Sequence, residues 1–175
     1  MFDIGLDVAS LNELSCSGEV EIRTFDFSKH PKFMRIEEQD AGAYAWKPLI
    51  VKEISSEFDI VLWSDAGNRW NASLDPFIDE AKRRNGLYSG NIWGRLGQLM
   101  HPGMYAGFYN DSSFASMFVK SHRNCDAAFV VFTKEAQDFV HEWSECAKVK
   151  ACILPRGANR KNHRQASNLR AMFKN

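Results

Sequence analysis

The sequence predicts an α/β fold in which helices flank a mostly parallel central sheet, and three stretches carry that prediction. From Ala45 to Glu57 the apolar residues Trp46, Leu49, Ile50 and Ile54 recur three and four apart, and Phe58 continues the series, which places them on one helical face. Directly behind them, Ile60, Val61, Leu62 and Trp63 form a short apolar run of the kind found in strands covered on both faces. An earlier strand is read at Glu19 to Phe27, where Val20, Ile22, Thr24 and Asp26 alternate with Glu21, Arg23, Phe25 and Phe27. Strand, helix and strand in this order imply parallel pairing through right-handed crossovers, hence a Rossmann-like layer rather than a barrel or bundle.

The remaining elements follow in order. Met1 to Leu6 is apolar and runs into a polar turn, like the end of a strand whose beginning is missing, so the first strand is read as truncated. Val8 to Leu14 reads as a short helix closed by Gly18, and Ser28 to Gly42, with Pro31 and many charges, as an irregular surface connection. Pro48 fits the first turn of the central helix, where its missing N–H costs nothing. Leu74, Phe77, Ile78 and Ala81 mark a helix from Leu74 to Arg84 that Asn85 and Gly86 stop. Gly86 to Gly107, rich in glycine and aromatic residues, reads as a pocket-lining loop. A helix at Ser112 to Lys120, a strand at Ala127 to Phe132 and an amphipathic helix at Lys134 to Ala147, with Thr133 as N-cap, complete the pattern. Ala151 to Arg156 is a short apolar piece ending near a proline.

A chain of 175 residues with a normal apolar fraction supports one domain, 1–175, and not two comfortable ones. The net charge of zero hides an asymmetry, since no acidic residue follows Glu145 while Lys148, Lys150, Arg156, Arg160, Lys161, Arg164, Arg170 and Lys174 do. The basic tail, from about Arg156, is either a solvated segment or a site for phosphate-bearing ligands. Nucleic acid is not expected as a partner, because the rest of the chain is not basic and carries no reader motif. No apolar run approaches the ~20 residues of a spanning helix, and no signal-peptide pattern opens the sequence, so no membrane segment or export signal is expected within it. Cys16, Cys125, Cys146 and Cys152 lack the paired spacing of a zinc site; disulfides and buried free thiols both remain open, with Cys146 to Cys152 the most local pairing.

Ser64, Asp65, Ala66, Gly67 and Asn68 follow the central apolar strand at its carboxyl end. In open α/β sheets, ligands bind in the crevice outside those ends, so Asp65 is the first candidate for a functional group. Among the tryptophans, Trp46, Trp63 and Trp143 fall on apolar faces and read as core. Trp70 and Trp93 are the better candidates for stacking on a ligand, although anchoring a loop is the plainer role for each.

Several spaced motifs then occur in one order: Tyr44-Ala45-Trp46-Lys47-Pro48-Leu49-Ile50; Ile60-Val61-Leu62-Trp63-Ser64-Asp65-Ala66-Gly67; Met100-His101-Pro102-Gly103-Met104; Trp143 with Cys146 and Cys152-Ile153-Leu154-Pro155; and Asn162-His163-Arg164. Together they resemble a poorly characterised family of animal proteins, common in nematodes and related to GT-A glycosyltransferases. The resemblance spans almost the whole chain. It implies a GT-A nucleotide-diphospho-sugar transferase fold and transfer of a sugar from a nucleoside-diphosphate donor to a glycan or protein acceptor. It also implies a Golgi or secretory lumen, although no anchor lies in this sequence.

In that class an Asp-x-Asp turn binds Mn²⁺ or Mg²⁺ against the leaving diphosphate. Here Asp65-Ala66-Gly67 keeps the first aspartate and lacks the second. Three roles stand open for Asp65: a metal ligand with His163 or another tail group, a direct contact to ribose or sugar, or a turn-capping residue. The resemblance makes Asp65 and His101 the catalytic candidates, His101 as an acceptor-side base or as a loop-fixing hydrogen bonder. Lys47, Gly67, Asn68, Arg69, Trp70 and Arg164 are the substrate-binding candidates, with Lys47 or Arg164 pairing with phosphate oxygens. Where the family continues through Asp-Gln-Ser this chain has Gln165-Ala166-Ser167, and a degenerate domain that binds a glycan or protein without turnover is the alternative.

Overall fold

The computed structural model of the chain describes residues 1–18, 20–37, 40–105, 120–159 and 161–163. In chain order its elements are β1 (Phe2–Asp3), α1 (Val8–Ser17), β2 (Arg23–Thr24), β3 (Ile36–Glu37), β4 (Asp40–Ala41), α2 (Trp46–Ser55), β5 (Ile60–Ser64) and α3 (Asp75–Arg83). There follow β6 (Leu87–Arg95), α4 (Leu96–Leu99), α5 (Pro102–Tyr105), β7 (Arg123–Thr133), α6 (Gln137–Lys148) and α7 (Lys150–Ile153). Short 3-10 turns at Phe27–Lys29, Lys32–Met34, Gly42–Tyr44 and Lys134–Ala136 link them.

The protein is a mixed α/β structure with three small sheets among the described residues. The largest has the order β5-β7-β6 and is antiparallel throughout, while β1 and β2 form a separate parallel pair and β3 and β4 an antiparallel one. The segment Glu19 to Phe27, expected as a parallel partner for β5, does not pair with it: among its described residues Arg23–Thr24 is the strand, and it pairs with Phe2–Asp3. Arg23 makes ion pairs with Glu21 and Glu57. Local alternation identifies a strand but says nothing about which neighbour will take its hydrogen bonds.

Helices lie on both faces of the main sheet, but β5, read as a strand covered on both faces, is an edge strand in which only Val61 is buried and Ile60 is exposed. Val61, Leu87, Val130 and Phe132 share one core with Val51 of α2 and with Phe139, Val140 and Trp143 of α6. On the opposite face Phe129 and Val131 pack with Leu62, Phe77, Ile78, Ala81 and Tyr88, under α3. The period-2 alternation along β7 thus divides its side chains between two helical layers. A second core joins Trp46, Leu49 and Ile50 of α2 to Phe25, Met34, Ala147 and Ile153. Because α2 lies between two cores, every residue from Trp46 to Val51 is buried, Lys47 included. Phe58, by contrast, lies past the end of α2 and is exposed, so the helical face stops at Ile54.

Gly86 to Gly107, expected as a loop, is mostly regular: β6 pairs along β7, and two short helical turns follow. The stop before it is as read, with Asn85 at φ 53° and Gly86 at φ 88°. A Cβ at Gly86 would overlap the Ala136 backbone nitrogen, so only glycine lets the chain reverse this close to the start of the last helical layer. Thr133 makes no capping bond; its hydroxyl donates instead to the Glu135 carboxylate, and a 3-10 turn precedes α6. Trp143 stacks with Phe132, across the α6–β7 contact, and with Phe139, one turn earlier in α6. A disulfide joins Cys146 of α6 to Cys152 of α7, while Cys125 is a buried free thiol and Cys16 an exposed one. No described helix is long and apolar enough to cross a membrane. The helix read at Ser112 to Lys120 lies, apart from Lys120, outside the described residues.

Candidate functional site

Helix α2 and strand β5 run in opposite directions and match in length: ten helical residues rise about 15 Å, and five strand residues extend about 16 Å. The first turn of α2 is therefore level with the carboxyl end of β5. Lys47 sits in that first turn, which is the wrong helix end for a cation, since the macrodipole is positive there. A carboxylate offsets the mismatch: Lys47 Nζ donates to Asp65 Oδ1 at 3.0 Å and to the Ala127 carbonyl at 2.9 Å. The same ammonium lies 4.6 Å from the centre of the Trp63 ring.

Lys47 is only 4% exposed. Burial pushes its ammonium below the usual lysine range, and Asp65 and then Asp126 pull it back toward the charged form. It is thus placed to hold Asp65 from beneath, not to reach a ligand from solvent.

Asp65 is the exposed partner, with its side chain 49% accessible. Its Oδ1 accepts from Trp63 Nε1 at 2.7 Å as well as from Lys47, and both described bonds fall on that one oxygen. Alternation puts residues 63 and 65 on one side of the strand, so the indole beside this carboxylate was readable from the sequence; Trp63, read as core, is half-buried and also packs against two of the cores. The turn that follows is anchored to β7, because Asp65 N–H donates to the Ala128 carbonyl at 2.9 Å and Asn68 Nδ2 to the same oxygen at 2.8 Å. Asn68 N–H closes the turn on the Asp65 carbonyl at 2.9 Å.

The other candidates in the turn divide. Gly67 and Arg69 are exposed. Trp70 crosses to the α3 face, where its ring lies 4.3 Å from that of Phe129 and its Nε1 donates to Ser64 Oγ at 3.2 Å. It is 44% exposed, but it is docked on the face of the sheet opposite the Lys47–Asp65 pair. Trp93 lies in β6, and Trp46 and Trp143 are buried as expected.

His101 and His163 form a second cluster. His163 is fully buried; its Nδ1 accepts from His101 N–H at 3.2 Å and its Nε2 meets the Ile153 carbonyl at 2.9 Å. A carbonyl only accepts and an amide N–H only donates, so the ring is the neutral tautomer with its proton on Nε2. Burial also pushes His163 below the usual histidine range. His101 is half-buried, its Nδ1 accepts from Gly103 N–H at 3.1 Å, and its Nε2 faces Gly157, where an added Cβ would stand 3.5 Å away. The loop 155–163 is pinned around this pair by Asn159 and Asn162. The hydrogen bonds described for the two clusters do not join them. Arg164 lies outside the described residues.

A divalent ion on Asp65 and His163 does not fit this arrangement. The imidazole has committed both nitrogens to the backbone, Asp65 Oδ1 is held by an ammonium, and no group of three metal-binding side chains occurs among the described residues. The residue missed altogether by the sequence reading is Asp126 in β7, whose negative charge favours the protonated form of Lys47. Compared with known protein families, with curated proteins and with solved structures, the chain matches none.

Proposed function

We propose that this chain is a glycosyltransferase domain of GT-A type that takes a sugar from a nucleoside diphosphate to a glycan or protein acceptor, with Asp65 as the carboxylate facing the donor. The observation that carries the reading is the state of Asp65: half exposed at the carboxyl end of an apolar strand, with Oδ1 fixed by Lys47 and Trp63. A carboxylate oriented before the ligand arrives loses little freedom on accepting ribose or sugar hydroxyls, which is the condition for selective positioning. Asn68 and Arg69, in the same turn, supply donors beside it. Lys47 serves the turn, and its charge does not reach the phosphates directly.

Titration calorimetry with UDP, GDP and their sugars, with and without Mn²⁺, tests this. Binding of one donor, weakened roughly tenfold or more by Asp65→Asn, is expected for a lost charge-assisted hydrogen bond. Absence of binding to every donor under both conditions would refute it.

A second reading, a glycan- or protein-binding domain without turnover, is favoured by Ala66-Gly67 standing where a second carboxylate would be needed. Slow sugar-nucleotide hydrolysis that disappears in Asp65→Asn would rule this second reading out.

A further inference from the structure

We propose that Asp126 is the positioning residue of the Lys47–Asp65 pair, its carboxylate closing the turn that bulges β7 so that two consecutive carbonyls, those of Ala127 and Ala128, seat the site. Between the Ser89–Val130 and Asn91–Cys125 pairs, β6 contributes one residue, Gly90, and β7 contributes four, 126–129. The excess residues are pushed out of the ladder with β6, although Phe129 still pairs with Ser64 of β5. The first three carbonyls of the bulge accept from outside β7, the second and third of them from the site. Asp126 O accepts from Ser89 Oγ at 2.6 Å, Ala127 O from Lys47 Nζ at 2.9 Å, and Ala128 O from both Asp65 N–H and Asn68 Nδ2 at 2.9 and 2.8 Å.

What shapes the bulge is the side chain at its head. Asp126 Oδ1 accepts from Ala128 N–H at 2.8 Å, the two-residue reach of an Asx turn, and this fixes the direction of the intervening peptide. Without that acceptor the Ala127 and Ala128 carbonyls have no local reason to point at Lys47 and at the Asp65 turn. The charge adds a second effect, since Asp126 and Asp65 face the Lys47 ammonium from β7 and from the turn after β5, and both favour its protonated form. Asparagine keeps the acceptor and removes the charge, so the two effects separate.

The functional weight of this assignment rests on the reading of Asp65 as the donor-facing carboxylate, whereas the positional claim does not. Amide exchange and the Trp63 indole resonance, followed by NMR in wild type, Asp126→Asn and Asp126→Ala, test the position. Asp126→Ala is expected to speed exchange of the Asp65 amide by roughly tenfold, the equivalent of one hydrogen bond, while the Phe139 and Val140 amides of α6 keep their protection. Asp126→Asn is expected to leave the Asp65 amide near wild type and to move the alkaline midpoint of the Trp63 indole, which reports Lys47 deprotonation, to lower pH. Unchanged exchange in Asp126→Ala, or equal disruption by asparagine and alanine, overturns the proposal. Should the alanine variant not fold, Asp126→Glu decides: it keeps the charge but its longer side chain does not fit the two-residue turn, so faster Asp65 exchange supports the proposal and unchanged exchange overturns it. Donor titration of the same proteins keeps the two readings apart, because a positional effect without donor binding by wild type would remove the transferase reading and leave the role of Asp126 standing.

Discussion

Replacing Lys47 by methionine removes an ammonium and keeps most of the stem, and the structure sets what this costs. The buried Ala127 carbonyl loses its described donor at 2.9 Å, a loss of about 1–3 kcal/mol for a buried acceptor left unpaired. Asp65, half exposed, turns to water, so the ion pair itself contributes no more than about 1 kcal/mol. Against these stands the desolvation of the ammonium, the largest influence on Lys47, which methionine relieves. The net expectation is a loss of about 1 kcal/mol for Lys47→Met. For Lys47→Ala it is roughly 3 kcal/mol, because the stem's methylenes leave the core as well.

The sign of the pH dependence follows from the same residue. A lysine held below its ordinary value in the fold binds fewer protons than it does unfolded, so stability rises between the lowered folded value and about 10.4. Denaturant unfolding of wild type and both variants at neutral pH, and of wild type and Lys47→Met through the alkaline range, measures all of this. A Lys47→Met protein at least as stable as wild type, or one that keeps the alkaline rise, would refute the role given to the buried ammonium.

Two further expectations concern the C-terminal layer. Cys146→Ser/Cys152→Ser opens a disulfide spanning six positions, and the loop-entropy relation gives a loss of about 2 kcal/mol, measurable as a lowered denaturation midpoint at unchanged slope. His163, pushed below its usual range by burial, takes up fewer protons folded than unfolded, so stability falls as pH drops from about 6.5 toward the lowered folded value. His163→Gln should lose stability at neutral pH and flatten that acid limb; an acid limb of unchanged depth would show that another group produces it.

Much of the local structure was legible because it is written in short-range periodicity. The helix carrying Trp46 to Ile54, the strand Ile60 to Trp63, the stop at Asn85-Gly86 and the amphipathic run through Phe139 and Trp143 all stand where their spacing places them. The Cys146–Cys152 bridge joins two residues that a short turn keeps together. Gly86 to Gly107 misled, because its glycines and aromatics suggest a loop while Leu87 and Tyr88 pair with Phe132 and Val131 in a strand. Its regularity comes from β7, more than thirty residues away, and no window around Tyr88 contains it.

The sequence alone, then, determined that a lysine begins a buried helix and that an aspartate ends the strand behind it, since both follow from helical and strand spacing within twenty residues. Tertiary structure decided that the two touch, that the sheet between them is antiparallel, and that a bulge bearing Asp126 closes over Lys47 from eighty residues away. Periodicity records which side chains share a face. It does not record which distant backbone will be left, after strand pairing, with carbonyls that only a buried cation and a neighbouring turn can satisfy.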